Sequence, residues 1–440
     1  MKPLCFVLMP YGPKPASDGT IINFDAVYDE IIAPAIGDAQ FEAVIAREEL
    51  AGGIIHKPMF ERLLLCDFAV ADLTTANANV FYELGVRHAL RPHSTTLMHA
   101  AEHRLPFDVE MLRSLPYRLG PGGVPAAPAD DRAALAARLS GCRQAATDSP
   151  VFQLVQDLPV PDVKRLKTDV FRDRLSYSAR RKEELAVARA GGRGAVYAVE
   201  RSLGDLRDAE TGVVVDLFLS YRAVKSWDDM IRLAGLMSPP LAATVMVREQ
   251  LALALNRAGR GAEAERLLLD LIRDNGPSSE TWGILGRVYK DRWDAARRAG
   301  QTALADGMLR KAINAYLQGF EADWRDAYPG INAVTLMEIH TPPDPRREAL
   351  LPVVRYAVER RIAGGRPDYW DHATRLELAV LAGDKTGAEN ALADALACVR
   401  EAWEPETTAN NLSLIREARA VRGAVPPWTT TIEKALRAHA

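Results

Sequence analysis

The stretch Val70-Ala-Asp-Leu-Thr-Thr-Ala-Asn-Ala-Asn-Val-Phe-Tyr-Glu-Leu-Gly-Val-Arg-His-Ala-Leu90 decides how the N-terminal part of this chain folds. It reads as a buried strand, a polar loop and an amphipathic helix. Asp72 then stands at the strand end and Glu83 in the first turns of the helix. Two carboxylates beside the C-terminal edge of a strand are what a ligand crevice in a parallel α/β sheet presents. Acting together, they suit chemistry on a sugar or a nucleoside.

Outward from this stretch the same alternation recurs. Residues 4–9 form a continuous apolar run, as in a strand covered on both faces. Phe24, Val27, Tyr28, Ile31 and Ile32 recur at helical spacing across 24–36. Residues 41–46 read as a second strand and 56–65 as a helix with proline near its start. Strands are also expected over 68–73, 95–99 and 117–119, with a helix over 80–90. This order predicts a doubly wound, mostly parallel α/β sheet. Residues 120–129, rich in Pro, Gly and Ala, read as a linker. The expected layout is an α/β domain over 1–120, a linker and connecting helix over 121–162, and a helical array over 163–440.

With 440 residues the chain is too long for one core. Hydrophobic residues at 48% and charged residues at 26% are ordinary for a soluble globular protein. A net charge of −3 gives no electrostatic basis for binding nucleic acid or a membrane surface. The basic run Ser178-Ala-Arg-Arg-Lys182 reads as a solvated helix face. Cys5, Cys66, Cys142 and Cys398 lack metal-type or CxxC spacing, so reduced thiols in a cytoplasmic protein are expected. The first apolar run is too short for a signal peptide, and no apolar stretch approaches membrane-spanning length.

From about residue 195 the chain reads as helices joined by short turns. The clearest pair is 247–258 with 262–273, around Gly259-Arg-Gly261. Further pairs are expected at 279–292 with 304–320, 369–382 with 386–401, and 407–421 with 427–438. The loose spacing near forty residues suggests a degenerate tetratricopeptide-like solenoid, although an irregular helical bundle gives nearly the same pattern. Trp227, Trp282, Trp293, Trp324, Trp370 and Trp403 are expected mostly between helices, with one or two left to line a peptide groove. Arg287, Lys290 and Arg297 would add positive charge to such a groove or simply face solvent.

Two resemblances follow. Val7-Leu-Met-Pro-Tyr11, Phe24-Asp-Ala-Val-Tyr28, Cys66-Asp-Phe-Ala-Val-Ala-Asp-Leu73 and Asn79-Val-Phe-Tyr-Glu-Leu-Gly85 occur in an order that resembles the nucleoside 2-deoxyribosyltransferase and TIR-like superfamily. The resemblance implies a flavodoxin- or deoxyribosyltransferase-like sheet, with Glu83 as nucleophile on an anomeric carbon. It matches Asp72 to the family's strand-end aspartate and puts Tyr11 at the pocket mouth. It also implies a homo-oligomer, since such pockets are often shared between subunits.

The second resemblance covers about 150–440. Asp216-Leu-Phe-Leu-Ser-Tyr-Arg222, Leu253-Ala-Leu-Asn-Arg257, Gly286-Arg-Val-Tyr-Lys-Asp291, Gly319-Phe-Glu321 and Tyr328-Pro-Gly-Ile-Asn332 are similar to the TRAFs-binding regulatory region of the apoptosis signal-regulating kinases. That implies a helical repeat array used for protein contacts, in signalling. No Gly-rich loop, HRD or DFG element marks a kinase here.

Cleavage of an N-glycosidic bond builds positive charge on the sugar, which a carboxylate stabilises or traps as a glycosyl ester. With Asn79 as N-cap, Glu83 would sit about one turn into the helix, where the dipole keeps an anion charged. Asp72 would hold a sugar hydroxyl, Asn77 and Asn79 would donate from the loop, and Arg47 would meet a phosphate. The competing reading makes Glu83 a helix-start carboxylate and Asp72 a loop cap. His88, His93, His99 and His103 lack the arrangement of a zinc site. No cofactor is called for. The expectation is an N-glycosidase-like protein that takes a nucleoside, nucleotide or NAD-like ligand and a protein partner on its helices. The alternative is a silent nucleotide sensor or a protein-interaction scaffold.

Overall fold

The computed structural model describes residues 2–16, 19–45, 56–110, 112–144, 146–155, 158–160, 168–206, 209–364, 367–401 and 403–439. Arg47, expected at a phosphate, lies outside the described residues. The chain divides into two compact units, Met1–Ser220 and Tyr221–Ala440.

In the first unit, β1 (Leu4–Leu8) is followed by a hairpin of β2 (Pro13–Pro15) and β3 (Ile21–Asn23). The chain continues through α1 (Phe24–Val27), a π turn (Tyr28–Ile32), α2 (Ala33–Asp38), β4 (Glu42–Val44) and α3 (His56–Leu65). Next come β5 (Phe68–Asp72), α4 (Ala78–Leu90), β6 (Thr95–Ala100), the short α5 (Phe107–Glu110) and β7 (Ser114–Tyr117). The main sheet has the order β4-β1-β5-β6-β7 and its paired strands are parallel. Strand order reverses between β1 and β5, so a crevice is expected at the carboxyl end of β5, where Asp72 lies. Alternate strand residues feed two cores. Cys5, Val7 and Val70 pack with Phe24, Ile31 and Ile32 on one face. Phe6, Leu8, Ala69 and Ala71 pack with Leu63, Val80 and Leu84 on the other.

The connecting helix expected within 121–162 packs on this layer. α6 (Pro128–Gly141) buries Leu135 and Leu139 in the first core. Gly123, before it, serves a close approach: a Cβ there, at φ +68, would lie 1.8 Å from the Ile21 carbonyl oxygen. The β2–β3 hairpin was not legible because its strands are three residues long and carry Pro13 and Pro15. α7 (Pro150–Leu154), α8 (Thr168–Ala190) and α9 (Gly192–Ser202) follow, and α10 (Thr211–Ala223) carries the chain past residue 220.

In the second unit, α11 (Trp227–Ala234) and α12 (Pro239–Ala242) precede, among the described residues, five antiparallel helix pairs. These are α13 (Val245–Arg257) with α14 (Gly261–Asn275), α15 (Ser279–Arg298) with α16 (Thr302–Ala322), α17 (Ala327–Ile339) with α18 (Arg346–Ala363), α19 (Tyr369–Ala382) with α20 (Lys385–Ala397), and α21 (Trp403–Val421) with α22 (Thr429–Arg437). Four pairs were expected. The α17–α18 pair was not, because α17 is buried on every side from Pro329 to Glu338 and shows no polar face. α18 also carries Pro352 in its interior, a residue that normally reads as a break.

Candidate functional site

At the carboxyl edge of β5, Asp72 is enclosed, at 1% exposure. One carboxylate oxygen accepts from the Thr74 N–H at 2.9 Å and from the Thr74 hydroxyl at 2.5 Å. The other accepts from the Tyr117 phenol at 2.9 Å. The Thr74 hydroxyl lies 3.0 Å from that phenol and accepts from the Ala100 N–H at 2.9 Å, which ties β5, β6 and β7 together. Burial raises the Asp72 pKa above the usual carboxylate range, against the donors from Thr74 and Tyr117. Asp72, expected to hold a sugar hydroxyl, here closes the loop between β5 and α4 through these bonds. Its donors are internal and the group is shut off from solvent.

Glu83 lies in the second turn of α4 and is half-buried. The cap of α4 is Asn77 rather than Asn79. The Asn77 side chain accepts from the N–H groups of Asn79 and Val80, and Asn79 is exposed. Asn77 thus satisfies helix-end donors and is held to that task. The Tyr11 hydroxyl reaches back to the Val7 carbonyl at 3.5 Å. The two carboxylates expected to act as a pair thus stand in different settings, one sealed under the loop and one on a helix flank.

The last turns of α4 do structural work that its sequence does not announce. Arg87 is fully buried and donates to the carbonyls of Leu63, Cys66 and Asp67 and to the hydroxyls of Ser94 and Thr95. Arg91 adds bonds to the Leu64 and Cys66 carbonyls. These guanidiniums cap the end of α3. Burial, with the charge of Arg87 beside it, pushes the His88 pKa down to about 4, so this imidazole is neutral at pH 7. His99 pairs with the Ser114 hydroxyl at 2.9 Å, and no metal-type cluster occurs among the described residues.

The second unit holds the larger polar constellation. Ser279 at the start of α15 bonds Asp326 at the start of α17. Tyr369 at the start of α19 bonds Thr408 near the start of α21. At the other end, Arg419 of α21 donates to Glu338 of α17 at 2.8 Å and to the Val380 and Leu381 carbonyls of α19. Start meets start and end meets end, so α15, α17, α19 and α21 run parallel.

Between them lies a partly buried network. The Lys290 ammonium donates to the side-chain oxygens of Asn332 at 3.1 Å and Asn411 at 3.2 Å. The Thr335 hydroxyl donates to Glu377 at 2.5 Å. Desolvation lowers the Lys290 pKa to about 8 and raises that of Glu377. Arg287 is paired with Asp291 at 2.9 Å, and Arg297 with Asp294 at 3.0 Å. Of the three positive charges expected to face a groove or solvent, Arg287 and Arg297 are paired in place, and Lys290 bonds two amides.

This parallel helical array coincides with a sequence match. Residues 80–432 match the MAP3K TRAFs-binding domain. The chain belongs to that family. The match takes in the whole of the TRAFs-binding-type array from α11 to α21, and it begins within α4 of the sheet layer. The mitogen-activated protein kinase kinase kinase nsy-1 of Caenorhabditis elegans is similar, at 29% identity over 224 residues. That similarity covers 46% of this chain and 15% of the kinase, so the chain spans a small part of that relative. A thermophilic TPR protein of Thermus thermophilus aligns over 46% of this chain and 99% of its own, at 14% identity and a TM-score of 0.35.

The family-like blocks mark close contacts in the array. A Cβ on Gly286 would lie 2.7 Å from the Tyr316 ring. One on Gly330 would lie 2.8 Å from Val354. Of the tryptophans expected in the core, Trp293 is buried, but Trp324, Trp370 and Trp403 are 53%, 37% and 48% exposed. Helical periodicity could not reveal this, because these three sit at helix starts or in turns, outside the repeating apolar faces.

Proposed function

We propose that this protein is a protein-interaction scaffold of signalling type, in which the TRAFs-binding-like array engages a protein partner. Family membership over residues 80–432 carries this reading. The parallel stacking of α15, α17, α19 and α21 supports it, since such stacking builds an extended surface suited to another chain. The partner class suggested by the family's description is a TRAF-type adaptor. The enclosure of Asp72 weighs against N-glycosidic cleavage at the sheet edge, because one half of the expected carboxylate pair is closed off.

The test has two arms. The full chain is titrated against a purified TRAF domain by calorimetry, and separately incubated with NAD, nucleosides and nucleoside monophosphates while released base is followed by chromatography. Saturable binding without base release is expected. Base release by the native chain that disappears in Glu83→Gln would overturn the scaffold reading in favour of an enzyme.

A further inference from the structure

The parallel run of α15, α17, α19 and α21 gathers their starts on one rim of the second unit. Trp370, in the first turn of α19, packs against Trp403, the first residue of α21, with ring centres 5.6 Å apart and planes tilted by 37°. Trp324 lies in the turn before α17 and rests on Phe320 at 5.4 Å. All three indoles are open to solvent. Indole is the largest apolar side chain, and three of them left open on one rim form a surface that other chains contact.

Charge indicates what covers them. The three turns that hold the indoles, 321–326, 368–371 and 400–406, contain eight carboxylates and two guanidiniums, Arg325 and Arg400. Some of these charges are committed. Asp326 and Asp368 cap α17 and α19, and Glu404 accepts from the N–H groups of Arg400 and Glu401. Asp323 pairs with Arg325, and Asp371 with Arg361 of α18. Glu321 accepts from the Gln318 amide at 2.8 Å. That leaves Glu401 and Glu406, both exposed, set against Arg400. An open indole beside an exposed carboxylate offers an arginine or lysine side chain both a ring face and a counter-charge.

We infer that this rim docks a cationic, extended segment of the protein partner, its arginine or lysine side chains seated over the Trp370–Trp403 pair and against Glu401 and Glu406. The inference rests on the scaffold reading and names the chemistry of the partner.

The test uses the full chain and a labelled octapeptide of alternating arginine and alanine, followed by fluorescence anisotropy at 0.15 M salt. An octapeptide of alternating glutamate and alanine is the control. The cationic peptide should bind and quench tryptophan emission, and the acidic one should not. Trp370→Ala with Trp403→Ala should weaken binding at least tenfold. Glu401→Gln with Glu406→Gln, exposed positions whose change leaves the fold intact, should do the same. Glu389→Gln, at the start of α20 on the opposite rim, should not change binding. No binding by the native chain at millimolar peptide overturns the proposal, as does equal binding by the acidic peptide. Undiminished binding by both double variants overturns it too. A chain that binds a TRAF domain yet ignores the peptide would refute this rim alone and leave the scaffold reading standing.

Discussion

The phenol of Tyr117, on the last residue of β7, donates to the carboxylate of Asp72, on the last residue of β5, across the intervening strand. With Thr74 and the Ala100 N–H, this ties together the carboxyl ends of β5, β6 and β7, beside the point where strand order reverses. The loop between β5 and α4 is therefore fixed from inside.

Asp72→Ala should destabilise the protein by about 1–3 kcal/mol, because the Tyr117 and Thr74 hydroxyls lose their buried acceptor. Asp72→Asn should cost less. The native carboxylate already bears a desolvation penalty, visible in its raised pKa, and an amide keeps one acceptor. Urea denaturation of both variants at pH 7 checks the order. A milder effect from Ala than from Asn would contradict the loop-closing role.

Stability should fall in mild acid through His88. Its pKa is near 6.5 when unfolded and about 4 in the fold, so between these values only the unfolded chain takes up the proton. Its contribution is full above pH 6.5 and is lost as pH drops toward 4, by at most about 3 kcal/mol. Melting temperatures from pH 7 to 4 should decline less steeply for His88→Gln than for the native chain.

Glu338→Gln should be among the most damaging single changes in the second unit. One buried carboxylate there meets three guanidiniums, from Arg347, Arg419 and Arg422. Removing its charge leaves Arg419 and Arg422 with carbonyl acceptors but no counter-charge there, at a cost of about 3–5 kcal/mol. Glu377→Gln should cost under about 1.5 kcal/mol, because the amide still accepts from Thr335 and the native carboxylate is itself held at a raised pKa. Thermal unfolding of the two variants side by side is the measurement. Equal losses would refute the distinction.

Gly286→Ala should also destabilise, against the rule that alanine favours helices. The added methyl meets the Tyr316 ring at 2.7 Å. Overpacking of this kind costs about 1–3 kcal/mol, more than the roughly 1 kcal/mol of helix propensity gained. A variant as stable as the native chain would show that the α15–α16 contact yields easily.

Residues 70–90 were sufficient to predict the strand, loop and helix there, because β5 is buried on both faces and α4 has an apolar stripe, patterns that local chemistry imposes. The helix pairs around α13–α14, α15–α16 and α21–α22 were legible for the same reason, each helix having a face on the core, and α19–α20 was legible although α19 is buried over most of its length. What lay beyond the sequence were the relations between distant positions. Asn77 rather than Asn79 caps α4, because the cap depends on where the backbone leaves the loop. α17 could not be seen, because burial on all sides erases periodicity. Above all, the sequence placed a carboxylate at residue 72 but could not say that Tyr117, 45 residues away, would bond to it. Local patterning fixes which segments become helix or strand; only the folded sheet brings β7 close enough to β5 to decide whether that carboxylate faces a ligand or the protein's own donors.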